Sequence, residues 1–299
     1  MTTVRIAVPR KGRPLEAVLE RISSRTGETA LADDIVSTLR YEKAIAKGEQ
    51  TAETTVYERL AEYSDPSDPT APEFSLLRDD RESMPRRIVF DSVTLPTDTV
   101  DLQLIGREEP FRALRKHEFA LGFDSADLVL EEVVRLDPEP LATVTALNER
   151  IDPRDTDVRV STGLGDTVYH TLLATPPVAR SLAGELDRDS VAAYEGGLCL
   201  SPRYERLVEA VLGTRAIDGI EFRHPDREQS EEAAIAETGL GVYLTVSGST
   251  ARDHGLVVGE RLFPSETVLL ENGAESRPGV EQVTELLEGS VVDTALTVQ

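Results

Sequence analysis

The segment TVSGSTARDHG, residues 245–255, carries the hydroxyl and glycine pattern that most directly suggests chemistry. An apolar strand is expected before it, and a short helix opened by Thr250 is expected after it. Glycine lets the backbone approach a ligand closely, and successive N–H groups at a helix start attract anions. The hydroxyls of Ser247, Ser249 and Thr250 would add donors for phosphate oxygens. A plain capped turn fits the same residues, because serine and threonine are common N-caps.

A second segment, PRKGR at residues 9–13, follows the first expected strand directly. In α/β folds the carboxyl ends of strands line the ligand crevice, so Lys11 and Arg13 would bring positive charge to such a place. A solvated basic turn is the alternative. A third segment, GLG at residues 163–165, is too short for a dinucleotide fingerprint and predicts only a backbone turn beside a site.

Strands and helices must position these segments, and their apolar patterns alternate along the chain. Leu15, Val18, Leu19 and Ile22 share one face of a first helix, and Ser125 can cap a later one. Strands are expected at residues 4–9, 100–104, 119–123, 158–161, 167–174, 217–222, 241–246, 257–262 and 267–270. Further helices are expected around residues 31–39, 109–117, 178–186, 204–212, 231–237 and 280–287. This alternation predicts an α/β fold with a mainly parallel or mixed sheet.

Residues 63–87 break the alternation, because they contain four prolines and many charges. Proline cannot continue a helix or donate in a central strand. We therefore expect a loop or surface excursion there.

The composition limits the class of protein. The 299 residues include 55 acidic and 32 basic side chains, giving a net charge of −23. That charge disfavours nucleic-acid binding, which relies on basic patches. Neither a membrane-spanning run nor a signal peptide is present, so we expect a cytoplasmic protein without a membrane partner. Lysine is scarce and tryptophan absent, which favours a cytoplasm holding molar salt, although an ordinary acidic protein remains the alternative.

Other chemical groups give no site. Cys199 is the only cysteine, which excludes a disulfide framework, and its leucine neighbours predict a buried apolar residue. The four histidines lack metal-ligand spacing, so we expect them to be solvated or hydrogen-bonded: His117, His170, His224 and His254.

Four blocks, taken in order, resemble the ATP phosphoribosyltransferases that begin histidine biosynthesis. They are VRIAVPRKGR (residues 4–13), VDLQLIGREEPFRALRKHEFALGFDSADLVLEE (100–132), GLGDTVYHTLLATP (163–176) and GLGVYLTVSGSTARDHGLVVGERLFPSETVLLEN (239–272). Their shared order carries the resemblance more than any one block does.

The resemblance implies a two-lobed α/β fold like that of type II periplasmic binding proteins, with a ligand cleft between the lobes. Lobe one would comprise residues 1–175 and 256–299, and lobe two residues 176–255. The 5-phosphate of phosphoribosyl pyrophosphate (PRPP) would bind at Ser247, Gly248, Ser249, Thr250 and Ala251. The pyrophosphate or nucleotide would face Lys11, Gly12, Arg13, Arg107 and Asp127.

The implied reaction is a glycosyl transfer that joins PRPP to an adenine nucleotide, releases pyrophosphate and uses Mg²⁺. A homo-oligomer is expected, and residues 273–299 are too few for the regulatory domain of the family's long form. The short form relies on a partner subunit resembling a histidyl-tRNA synthetase.

Several family positions differ here. Tyr243 stands where the family has an aspartate, Ala120 replaces another aspartate, and Ser125 replaces a glycine. The arginine of the third block is also replaced, with Tyr169 and His170 nearby. These differences leave two alternatives open: a PRPP-using paralogue with a different acceptor nucleotide or base, and a non-catalytic protein that senses a phosphorylated small molecule.

Overall fold

The computed structural model describes residues 2–78, 87–141, 144–166, 168–182, 185–226, 229–275 and 277–288. The strands are β1 (Thr2–Pro9), β2 (Glu73–Leu77), β3 (Arg87–Leu95), β4 (Val100–Arg107), β5 (Leu121–Ser125), β6 (Val158–Gly163), β7 (Val168–Ala174), β8 (Gly196–Cys199), β9 (Ile220–Arg223), β10 (Leu240–Thr245), β11 (Val257–Ser265) and β12 (Thr267–Asn272). The α-helices are α1 (Gly12–Thr26), α2 (Thr29–Ala46), α3 (Val56–Tyr63), α4 (Pro110–Arg115), α5 (Ala126–Val133), α6 (Pro176–Ser181), α7 (Arg188–Val191), α8 (Glu205–Leu212), α9 (Glu231–Thr238), α10 (Ser249–Asp253) and α11 (Val280–Leu287). In the described ranges, no helix is both long and apolar enough to cross a membrane.

The described residues fall into two compact units. The first contains residues 2–124, 157–164 and 267–288, and the second contains residues 125–156 and 165–266. The second unit is larger than the expected lobe of residues 176–255. The reason is strand pairing, since β7 and β11 lie in the same sheet as β10.

The first unit is built on a mixed sheet in the order β2-β3-β4-β1-β5-β12-β6. Strand β1 is parallel to both β4 and β5, while β3 is antiparallel to β4. Ile6, Ala7 and Val8 are all fully buried, as expected for a strand covered on both faces. The predicted apolar face of α1 packs into the same core and is confirmed: Leu15, Val18, Leu19 and Ile22 are at most 3% exposed.

The predicted loop at residues 63–87 is wrong over part of its length. Residues 73–77 form β2, which pairs antiparallel with β3 and buries Phe74 in the core. The charged, proline-rich stretch can form this strand because β2 lies at the edge of the sheet, where the backbone groups on its outer side need no partner strand. Strand β3 itself was not predicted, and residues 79–86 lie outside the described residues.

Helices α2 and α3 are joined by a buried ionic cluster in the first unit. Arg59 donates to both oxygens of Glu42, at 2.6 and 2.9 Å, and the Tyr63 hydroxyl donates to the same carboxylate at 3.0 Å. The hydrogen bond to Glu42 raises the pKa of Arg59. Both carboxylate oxygens are therefore satisfied inside the protein.

The second unit has a mixed sheet in the order β11-β7-β10-β8-β9. Its central strand, β10, is antiparallel to β7 and parallel to β8. Helix α9 lies close against β10. The approach is so close that any side chain at Gly241 would collide with Ile235 and the Cys199 carbonyl. Cys199 is 1% exposed, which confirms its prediction as a buried apolar residue. This close contact places the first turn of α9 beside the end of β10.

Candidate functional site

The loop after β10 turns at Gly248 and leads into the short helix α10. Gly248 has φ +69°, a conformation that L side chains rarely adopt, and an added Cβ would lie 2.9 Å from Val258. The turn therefore requires glycine for its backbone and for its packing. Helix α10 begins at Ser249 rather than at the predicted Thr250, since the left-handed Gly248 already occupies the N-cap position.

Exposed hydroxyls dominate this loop. Ser247, Ser249 and Thr250 are exposed, whereas Gly248 and Ala251 are buried. The Ser247 hydroxyl donates to the Ser249 hydroxyl at 3.1 Å and accepts from the Ser249 N–H at 3.4 Å. Arg252 donates to the Ser247 carbonyl at 3.0 Å, which places a guanidinium at the same turn.

A pocket of about 240 Å³ opens at this loop and lies wholly within the second unit. Strand β10 contributes Tyr243, Leu244 and Thr245 to the lining. The loop and the start of α10 contribute Val246, Ser247, Gly248, Ser249, Thr250 and Ala251. Glu232, from the first turn of α9, completes the lining. The pocket thus combines a hydroxyl-rich wall with one carboxylate and one phenol.

The sequence predicts solvated surface for the acidic pair Glu231-Glu232, and for Glu232 that prediction is wrong. Glu232 is only 8% exposed, and among the described residues it has no hydrogen bond or ion pair. Burial raises the pKa of the Tyr243 phenol, and the Glu231 and Glu232 carboxylates raise it further. The feature that draws attention to Glu232 is its position on α9, close against β10. That position comes from the tertiary structure and is not visible in the sequence.

The predicted basic residues of the first unit lie at one edge of its sheet. Pro9, at the end of β1, is in register with Arg107, at the end of the parallel β4. Lys11, Gly12 and Arg13 come after Pro9 and Arg10, so the sheet brings this set together as expected for strand ends.

Part of this positive charge already has partners. The Lys11 ammonium lies 3.2 Å from Glu108 in an exposed pair. Arg10, which the sequence did not single out, donates to the Phe90 carbonyl at 3.2 Å and to Asp91 at 2.8 Å. Arg10 therefore ties the loop to β3 and holds a structural position.

Arg107 is partly shielded by an aromatic ring. Its guanidinium carbon lies 5.0 Å from the centre of the Phe119 ring, and that of Arg5 lies 4.9 Å from the same ring. Glu118 lies 4.0 Å from the Arg107 Nε. These contacts fix the stem of the side chain at the strand end.

Asp127 lies inside the second unit, 5% exposed. Its carboxylate accepts from the Ser265 hydroxyl at 2.8 Å and lies 3.3 Å from the His170 Nε2. The Asp127–His170 contact is within ion-pair distance but is not a hydrogen bond, because neither His170 ring nitrogen has a hydrogen-bond partner in the described ranges. The assignment of Asp127 to a nucleotide or pyrophosphate stays a prediction.

His170 contradicts the expectation of a solvated or hydrogen-bonded histidine. Its side chain is fully buried, because it packs against the Tyr204 ring at a centroid distance of 4.6 Å and against Asp127.

The Ser125 cap is confirmed, since the Ser125 hydroxyl accepts from the Asp127 N–H.

The turn predicted at GLG is confined to its last residue, because Gly163 ends β6 and the Leu164 N–H donates to the Thr267 carbonyl at 2.9 Å. Gly165 has φ +78°, and its N–H donates to Glu266 at 2.7 Å.

The described parts of the chain contain no group of three or more His, Cys, Asp or Glu side chains arranged to hold a metal ion.

Comparison with solved structures finds similar chains at low sequence identity. The chain is similar to an ATP phosphoribosyltransferase (HisG:HisZ) complex from Thermotoga maritima, at 13% identity and a TM-score of 0.42, covering 95% of this chain and 96% of that one. It is also similar to YhfZ from Shigella flexneri, at 10% identity and a TM-score of 0.40, covering 96% and 83%. The OxyR2 regulatory domain from Vibrio vulnificus matches at 15% identity and a TM-score of 0.32, covering 63% and 81%. The chain has no significant match among the curated proteins.

A protein-family model matches almost the whole chain. The model describes the halobacterial ATP phosphoribosyltransferases, and it covers residues 1–298. The glycine turn, the hydroxyl loop after β10 and the basic residues after β1 all lie within that match. The chain therefore belongs to the halobacterial ATP phosphoribosyltransferase family.

Proposed function

We propose that this protein joins PRPP to the N1 of an adenine nucleotide and releases pyrophosphate, with the 5-phosphate of PRPP bound by residues 247–251. The observation that carries the proposal is the loop after β10. It presents exposed Ser247, Ser249 and Thr250 at a glycine turn whose φ is +69°, in a chain whose family transfers phosphoribosyl groups.

The loop offers the groups that a phosphate needs. Backbone N–H groups after a left-handed glycine and nearby hydroxyls are neutral donors, and they bind phosphate oxygens without an opposing charge. Arg252, whose guanidinium donates to the Ser247 carbonyl, adds positive charge at the same turn. In this assignment Gly248 and Ala251 allow the backbone to approach the phosphate.

We assign the pyrophosphate or the nucleotide to Lys11, Gly12, Arg13, Arg107 and Asp127. Lys11 supports this assignment best, because an exposed ion pair such as Lys11–Glu108 contributes roughly 0–1 kcal/mol, so the ammonium can exchange Glu108 for a phosphate at little cost. Asp127 is buried beside Ser265 and His170, and it supports the assignment least.

The chemistry asks mainly for positioning. Displacement of pyrophosphate from the ribose carbon builds negative charge on the leaving group, and fixed cations and N–H donors stabilise that charge. Mg²⁺ would supply further neutralisation when it enters bound to PRPP, since Mg²⁺ is commonly held by substrate phosphates. The described residues form no cluster of three ligands, so we assign no catalytic step to the metal.

The setting of the enzyme follows from its composition and family. With a net charge of −23 the chain repels itself at low salt, and molar KCl screens that repulsion. We propose a cytoplasmic enzyme of a halophile, acting as a homo-oligomer. The HisG:HisZ complex of Thermotoga maritima supports a search for a partner subunit as well.

The test is PRPP-dependent release of pyrophosphate in high KCl with Mg²⁺ and ATP, with mass-spectrometric detection of phosphoribosyl-ATP. We expect both products to appear in equal amounts. Release with another nucleotide or base but not with ATP would replace the proposal with a paralogue of different acceptor. The absence of release with every acceptor, at several salt concentrations and with a candidate partner subunit, would contradict it.

A further inference from the structure

We propose that Glu232 determines the specificity of the pocket after β10: its carboxylate accepts hydrogen bonds from the ring hydroxyls of a sugar phosphate held by residues 247–251. The inference rests on the proposed function for the phosphate, and adds to it the residue that recognises the sugar. Glu232 lies outside the four blocks that carry the resemblance to the family.

The burial of Glu232 without a partner is the first argument. A carboxylate that lines a pocket and has no protein donor is available to accept hydrogen bonds from a ligand. At 8% exposure Glu232 has no hydrogen bond or ion pair among the described residues, although it lines a pocket of about 240 Å³. Its oxygens are therefore open to a donor that enters the pocket.

The chemistry of the remaining wall identifies the donors. The loop supplies N–H and O–H groups, which suit a phosphate, whereas a carboxylate repels a phosphate and accepts from hydroxyls. A ligand that satisfies both sides carries an anion at one end and hydroxyls at the other, as a phosphorylated sugar does. Tyr243 beside Glu232 remains a neutral phenol near pH 7, since its pKa is raised, and it adds no second negative charge.

The position of α9 fixes Glu232 relative to the loop. Gly241 lets Ile235 of α9 pack directly on β10, and Ala234 and Ile235 share a buried cluster with Ala251 of the loop. The helix and the loop are therefore parts of one packed body. The core therefore holds the backbone at Glu232 in a fixed place relative to the loop.

The experiment compares the binding of ribose 5-phosphate and inorganic phosphate by calorimetry in high KCl. The proteins are the unmodified chain, Glu232→Ala, Glu232→Gln and the control Glu231→Gln. Glu231 is the neighbour of Glu232 in the same helical turn but is absent from the pocket lining, so the control matches the change in charge and helix position. Melting temperatures are measured for all four.

We expect the unmodified protein to prefer ribose 5-phosphate over phosphate at least about tenfold, because hydrogen bonds to a charged group contribute roughly 1.5–3 kcal/mol. Glu232→Ala should lose that preference while binding phosphate equally well or better, since a repelling charge is gone. Glu232→Gln should keep part of the preference through its carbonyl oxygen, and Glu231→Gln should keep all of it. The melting temperature of Glu232→Ala should stay unchanged or rise.

A preserved preference in Glu232→Ala, or a clear loss of its thermal stability, would overturn the inference and assign Glu232 a structural role. This failure differs from failure of the proposed function. If the unmodified protein bound neither ligand, the assignment of residues 247–251 to a phosphate would fail, and the inference about Glu232 with it.

Discussion

Two buried glutamates, one in each unit, stand in opposite situations. Glu42 is 4% exposed, and it accepts from the Arg59 guanidinium and the Tyr63 hydroxyl. Glu232 is 8% exposed, lies near a tyrosine as well, and has no such partner in the part of the chain that the structure describes. The two residues have the same chemistry and nearly the same burial.

What differs is where the donors come from. Glu42 is satisfied by α3, so its charge is compensated in the folded protein whatever else is bound. Glu232 lines a pocket, and in our proposal its hydrogen-bond donors come from the ligand. A buried carboxylate is thus informative about function when its partners are counted, and uninformative when only its burial is known.

The largest effect is expected at Glu42. Glu42→Ala leaves the Arg59 guanidinium buried without its partner, and breaking a buried ion pair from one side costs roughly 3–5 kcal/mol. Urea unfolding should report this loss, whereas the exposed Glu62→Ala on α3 should change stability by less than about 0.5 kcal/mol. Equal stability of the two variants would remove the contrast between Glu42 and Glu232.

The next effect concerns the ligand side of the comparison. Ser249→Ala with Thr250→Ala removes two hydroxyls assigned to the 5-phosphate, and hydrogen bonds to charged groups contribute roughly 1.5–3 kcal/mol each. We expect PRPP-dependent pyrophosphate release at low PRPP to fall about 100-fold or more. The adjacent pair Ser37→Ala and Thr38→Ala on α2 serves as control and should leave release unchanged. Normal PRPP binding by the first double variant would make the phosphate-loop assignment wrong.

A smaller effect tests the shape of the same pocket. Gly248→Ala and Gly255→Ala both place a side chain at positive φ, +69° and +73°. Only at 248 does the new Cβ meet a neighbour, Val258, while the space around 255 is open. Both variants should lose about 1–2 kcal/mol of stability, and only Gly248→Ala should also weaken PRPP binding, by about tenfold. Calorimetry of PRPP binding distinguishes them, and equal binding would show that the turn tolerates a side chain.

The smallest effect is a pH dependence on the structural side. Burial, followed by the hydrogen bond to Glu42, raises the pKa of Tyr63 from 10 to about 12. Because the pKa is higher in the folded protein, the contribution of Tyr63 to the free energy of unfolding is fully present below pH 10. That contribution is lost as the pH rises through 12. Tyr63→Phe should therefore flatten the fall in stability over that range, as measured by urea unfolding at several pH values. The exposed Tyr57→Phe should follow the unmodified protein, and a matching curve for Tyr63→Phe would contradict the assignment.

Short-range patterns predicted much of the framework. The apolar face of α1, the Ser125 cap, the buried Cys199 and the glycine turns depend on neighbours within a few residues, and such neighbours are visible in the sequence. Helix α3 could have been found as well, because Thr55 and Glu58 form a capping box. The four ordered blocks gave the family, which the match over residues 1–298 confirms.

Strand pairing decided what the sequence left open. Residues 73–77 become a strand because β3 offers an edge. Strands β7 and β11 join the second unit because β7 pairs with β10 and β11 pairs with β7. A proline-rich, charged stretch gives no local sign of such a partner. The boundaries of the two units therefore differ from those of the lobes that the resemblance implies.

The residues of the site divide in the same way. By itself, the sequence determined that a hydroxyl-rich glycine loop follows an apolar strand, since that pattern is local. Only the tertiary structure decided that Arg10 is held by Asp91 and that Glu232 lines the pocket with no partner among the described residues. The physical reason is that a side chain's charge is compensated by whichever groups packing brings to it, and those groups are distant in the chain.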